Sequence, residues 1–247
     1  MYKNGAALGG VCALLLFLVA CSPQQVNPEK NVQMLIDNMH SNSYDFKGEL
    51  HLQVGEEMLE ETLVLDGFYV ADEGYRVHAD VNLPGFVTDS DVLSKNDQLY
   101  YKLSDSKQWK QTTEQDLRML GITYKDSPAD MFQGMKEVVL SIEPTEQDSV
   151  FRITLDRHQY GQHTEETKMM RLPEVADMNG QGEHVELLQN PVVDVEIDHD
   201  QQVIRSIKLN YAMKSPLLDD PEQPVKVTYE MYMDHFNEGQ TLPDIAS

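Results

Sequence analysis

Tyr44-Asp45-Phe46-Lys47-Gly48-Glu49-Leu50-His51-Leu52-Gln53-Val54 decides the fold. The even positions of this stretch are apolar or glycine, and the odd positions are charged or polar. Strand side chains alternate between two faces, so this pattern predicts an antiparallel strand with one apolar face and one wet face. Working outward, Gly55-Glu56-Glu57 turns the chain into a second strand, Met58 to Val70, with Leu59, Leu63, Leu65 and Tyr69 on one side. Asp72-Glu73-Gly74 turns it again. Tyr75, Val77, Ala79, Val81 and Leu83 then alternate with polar residues in a third strand that stops at Pro84-Gly85. Further strands are predicted at Asp89–Ser94, Gln98–Leu103 and Gln108–Gln111, completing a meander of sequential hairpins.

The middle of the chain changes period. Thr113–Leu120 reads as a short helix capped by Thr113. Ser127-Pro128-Ala129-Asp130 combines a cap, a proline at the first helical position and an acid in the first turn. From there Met131, Met135, Val138, Val139 and Ile142 share a helical face, and Pro144 ends it. Val150–Leu155 returns to strand, Gln162–Leu172 reads as helix, and residues 177–182 read as a loop. Strands are then predicted at Val193–Asp198, Val203–Met213 and Val225–Asp234, with Ser215–Pro224 as a loop. Strands, then helices, then strands predict an α+β fold: a curved antiparallel sheet with helices packed on one face. No repeated βαβ pattern is present, which argues against a two-lobed solute-binding fold.

The N-terminus sets the expected compartment. Lys3 precedes a charge-free run whose apolar centre, Ala13–Ala20, has the length of a signal-peptide core and is shorter than a membrane span. Leu18-Val19-Ala20-Cys21 resembles a bacterial lipobox, in which the cysteine is diacylated and the chain is cut just before it. Residues 1–20 are therefore expected to be a lipoprotein signal peptide and Cys21 the lipidation site. Two acyl chains suffice for stable anchoring. Residues 21–30, polar and holding Pro23 and Pro28, read as a lipidated tether. Residues 31–247 read as a single domain, opened by a short amphipathic helix with Val32, Leu35, Ile36 and Met39 on one side. The only other cysteine is Cys12, so no disulfide framework is expected.

The 247 residues carry a formal charge of -23, from 42 acids and 19 bases. A chain this acidic repels phosphate backbones, and no basic patch offsets it, so nucleic acid is excluded as a partner. Docking on anionic lipid headgroups through a basic face is disfavoured for the same reason.

Catalytic chemistry finds little support. There is no Gly-x-Ser-x-Gly, no Ser-x-x-Lys and no HExxH. His158, His163, Glu165 and Glu166 are the densest ligand-type group, but the two histidines are five apart and do not share a helical face. Asp198-His199-Asp200 lacks the glycine and terminal glutamate of a calcium loop and reads as a hairpin turn. No enzyme activity, metal or cofactor is expected. Trp109 and Tyr100-Tyr101 read as sheet packing.

With the lipobox, the opening helix, Tyr44–Leu50 and the phrases Leu99-Tyr100-Tyr101-Lys102-Leu103 and Gln108-Trp109-Lys110, the chain resembles a family of uncharacterised lipoproteins from Gram-positive bacteria. Met231-Tyr232-Met233 and Phe236-Asn237-Glu238-Gly239 also fit. That family is similar to the LolA/LppX-like lipoprotein carriers. The resemblance implies a half-barrel wrapped over helices with an apolar cavity between them, on a lipoprotein held at the extracytoplasmic face of the bacterial cell membrane. The expected function is the binding of an apolar ligand or lipid. The alternative is an envelope protein–protein interaction module with a filled core. Methionine suits an adaptable pocket, so Met131 and Met135 are the candidate ligand-binding residues. The more central Met135 leans toward packed core.

Overall fold

A computed structural model describes residues 28–55, 57–83, 86–119, 127–163, 187–214 and 223–245. The signal peptide, Cys21, Pro84-Gly85, Met169, Met170, Glu165, Glu166, the loop at 177–182, and most of the expected helix after Gln162 and of the loop after Ser215 lie outside the described residues. The chain runs α1 (Pro28–Ser41), β1 (Tyr44–Val54), β2 (Glu57–Val70), β3 (Gly74–Leu83), β4 (Phe86–Lys95), β5 (Gln98–Leu103) and β6 (Lys110–Thr112). It continues with α2 (Glu114–Met119), α3 (Pro128–Met135), a 3₁₀ turn (Lys136–Val138), β7 (Val139–Pro144), β8 (Val150–Leu155), α4 (Arg157–His163), β9 (Val192–Asp198), β10 (Val203–Lys214) and β11 (Pro224–Asp234).

The strands form one antiparallel sheet of eleven strands in the order β6-β5-β4-β3-β2-β1-β11-β10-β9-β8-β7. β1 to β6 and β7 to β11 are two meanders joined where β1 pairs with β11. The sheet does not close: β6 and β7 are its edges. This is the curved, open α+β half-barrel that the residue pattern and the resemblance predict.

Register puts like with like. Phe46 lies opposite Met233, Gly48 opposite Met231 and Leu50 opposite Tyr229. The apolar face of β1 therefore continues into Val225, Val227, Tyr229, Met231 and Met233 of β11, all buried. Gly48 makes room for an aromatic ring, since a Cβ there would stand 2.6 Å from the Tyr229 hydroxyl. Leu35, Ile36 and Met39 of α1, Leu117 of α2, Ala129, Met131 and Phe132 of α3 and Tyr160 of α4 join this one core. Asn38 Nδ2 donates to the carbonyl of Gln202 at 2.8 Å and fixes α1 over the β9–β10 turn.

Two features depart from the expectation. The helix opened by Ser127 ends at Met135, and Val139–Pro144 is strand, not helix. Gly134 weakens the helix, and β-branched Val139 and Ile142 favour extended backbone once β8 offers a partner. The other face of the sheet is also not wet throughout. Leu93 is fully buried there, in a second small core with Val70, Phe68, Tyr100 and Trp109. The C-terminal segment covers it through Leu242 and Ile245, and Lys95 Nζ donates to the Pro243 carbonyl at 3.2 Å. Beside it, Asp91 pairs with Arg76 at 2.7 Å and Lys102 at 2.9 Å, and the Lys102 ammonium stands 5.0 Å from the Trp109 ring centre.

Candidate functional site

The apolar spacing of α1 turns Val32 and Ile36, one helical turn apart, toward the sheet. α3 starts where its residues demand: Ser127 Oγ accepts from the Asp130 N–H at 3.2 Å, and Pro128 fills the first turn. That start sets Phe132 and Met135 side by side. The 3₁₀ turn and β7 then bring Val139 and Ile142 round, and Ile153 of β8 forms the floor. These side chains, with Gln33 and Lys136, enclose a groove of about 260 Å³ at the β7 end of the sheet. Phe132, Ile36 and Ile153 are buried, while Val32, Met135, Val139 and Ile142 are half-buried, so the groove has a sealed floor and an open mouth. Its volume exceeds the roughly 150 Å³ of an apolar cavity that takes benzene.

The two candidate methionines separate. Met135 lines the groove, at the margin of the core and not at its centre. Met131, 8% exposed, packs inside the main core. Lys136 and Gln33 bridge the mouth: the lysine ammonium donates to Gln33 Oε1, and Gln33 Nε2 donates to Asp37 Oδ1 at 2.7 Å. The helical period of α1 makes Val32 and Ile36 legible from sequence. Lys136 belongs to no motif and sits one residue beyond the helix, so nothing local marks it.

The titratable groups elsewhere read as structure. Burial pushes the phenols of Tyr160, Tyr211 and Tyr229 well above their ordinary range, which keeps them neutral and suits packing over proton transfer. His158 is exposed, and its ring nitrogen accepts from Arg157 Nε at 3.3 Å. The side chain of His163 lies outside the described residues. Asp198 caps its hairpin turn by accepting from the N–H groups of Asp200 and Gln201, each at 2.9 Å. Among the described residues, one group of metal-type donors does meet: Asp45, Asp234 and His235, with donor atoms within 4.8 Å of one another. His235 Nδ1 stands 3.2 Å from Asp234 and 3.1 Å from Asp45, and the two carboxylates raise its pKa. They favour its protonated form.

Among the described residues, no helix is long and apolar enough to cross a membrane. No protein-family model and no curated protein matches the chain. Among solved structures it is similar to LprF from Mycobacterium bovis, at 10% identity and a TM-score of 0.42, over 89% of this chain and 97% of that one. It is similar to the LolA superfamily protein NE2245 from Nitrosomonas europaea, at 8% identity and a TM-score of 0.34, over 89% and 97%. It is also similar to a DUF1329 family protein from Desulfovibrio piger, at 8% identity and a TM-score of 0.32, over 85% and 92%.

Proposed function

We propose that this protein is a cell-envelope lipoprotein, anchored through Cys21, that binds an apolar ligand in the groove between α1, α3 and the β7–β8 end of the sheet. One observation carries the binding reading. Seven apolar side chains from four elements leave about 260 Å³ unfilled beside the main hydrophobic core. Protein interiors leave few voids larger than a water molecule. An apolar hollow of this size with an open mouth gains free energy by taking apolar surface out of water. The lining suits binding: seven of its nine side chains are apolar, and its two polar residues stand at the rim.

The test is the binding of a neutral apolar probe, 1-decanol, to the domain, read by displacement of the dye N-phenyl-1-naphthylamine. Ile142→Trp fills the groove from its half-buried wall and should abolish dye binding with the fold intact by circular dichroism. Unchanged binding in Ile142→Trp, or no binding to the parent protein, refutes the reading and leaves the interaction module with a filled core. Anchoring has its own test: Cys21→Ser should release the protein from membranes or stall its processing, and retention at normal mature size would refute it.

A further inference from the structure

The mouth of the groove holds a cation that an apolar ligand alone does not use. Lys136 is exposed, lines the groove and donates to the neutral amide of Gln33. In this chain acids outnumber bases 42 to 19, and Lys136 is the one cation among the residues that line the groove. Arg76, Lys102, Arg152, Arg205 and Lys208 each hold a carboxylate within 3 Å. Among the described residues Lys136 has no carboxylate within ion-pair distance. Gln33 has one amide hydrogen committed to Asp37, and a second remains to donate.

We propose that the groove takes a fatty carboxylate, with its chain inside and its head on Lys136 and the Gln33 amide. The inference rests on the groove being the binding site argued above. Chain length follows from volume. If about 150 Å³ takes the six carbons of benzene, 260 Å³ takes about ten. Head charge follows from the rim. One ammonium and one amide N–H match the two oxygens of a monoanion. A doubly charged head would keep an unmatched charge against a chain of formal charge -23. The Lys136–Gln33 bond is the one exchanged: the ammonium gives up a neutral acceptor for a charged one, and Gln33 Oε1 turns to water. The same acidity makes the site selective, because only a cation at the mouth offsets the repulsion that an anionic amphiphile meets elsewhere on the surface.

The experiment compares decanoate with 1-decanol, the same chain with and without the charge, by titration calorimetry on the domain. The proteins are the parent, Lys136→Gln, Lys136→Glu and Lys208→Gln, which removes the same charge from the opposite face of the sheet. Decanoate affinity should fall about tenfold in Lys136→Gln, the worth of one charge-assisted hydrogen bond, and further in Lys136→Glu. Decanol should stay within about twofold throughout, and Lys208→Gln should leave both ligands unchanged. Decanoate binding that survives Lys136→Glu, or falls equally in Lys208→Gln, overturns the headgroup assignment while the groove stands through decanol. Failure of both ligands to bind the parent protein overturns the groove itself.

Discussion

Met131→Ala and Met135→Ala, four residues apart on one helix, separate packed core from groove wall. Met131 is 8% exposed and surrounded by the main core, so truncation leaves a void that its neighbours can only partly fill. Transfer and cavity terms together put the cost at about 2–4 kcal/mol. Met135 is half-buried and already faces about 260 Å³ of open groove. Truncation there widens an existing hollow and loses only the contact on its packed side, about 1 kcal/mol. For a domain of this size each kcal/mol moves the melting temperature by about 2–4 °C. Met131→Ala should therefore melt about 5–15 °C lower and Met135→Ala about 2–4 °C lower. Thermal unfolding followed by far-ultraviolet circular dichroism measures both, and dye titration should change for Met135→Ala alone. Equal losses, or a loss above 2 kcal/mol at Met135, would refute the assignment of Met135 to the groove wall.

Gly67→Ala should destabilise by about 1–3 kcal/mol, against the usual gain from removing a strand glycine, because its Cβ would meet the Arg76 carbonyl at 2.3 Å; denaturant midpoints give the sign. Removing residues 240–247 should uncover the second core and shift the emission of Trp109, the one tryptophan, to longer wavelength, with the main melting transition still present. Burial pushes the Asp91 pKa up, but Lys102 and Arg76 outweigh it and hold it below the ordinary value. Its contribution is therefore complete above the unfolded pKa near 3.9 and lost as pH falls through the lower folded value, and Asp91→Asn should flatten the acid limb of the stability curve. His235 has the opposite sign: its pairing with Asp234 and Asp45 is complete below about 6.5 and lost as pH rises through the raised folded value, so its NMR titration midpoint should lie above 6.5 and drop in Asp45→Asn.

Sequence by itself determined what depends on near neighbours. Period two in Tyr44–Val54, Tyr75–Leu83 and Val225–Asp234 picks strand and inner face, because a residue's side of a sheet follows from parity alone. Thr113 and Ser127 announce their helices because a cap acts over three residues: Asp116 N–H reaches Thr113 Oγ1 at 3.2 Å, as Asp130 N–H reaches Ser127. Three of the seven apolar groove residues are legible in the same way, Val32, Ile36 and Met135 on helical faces. Tertiary structure decided the rest. Val139 to Ile142 fit helical and extended spacing about equally, and only pairing with β8 made the segment a strand and a groove wall. The pairing of β1 with β11 joins residues as far apart as Asp45 and Asp234, a choice that no local window contains. Leu93 is buried in a second core that includes Leu242, a residue far along the chain. Lys136 is an unremarkable surface lysine in sequence. It becomes a candidate headgroup contact only because the fold sets it across a groove mouth from Gln33, far along the chain, with no carboxylate of the described residues to hold it.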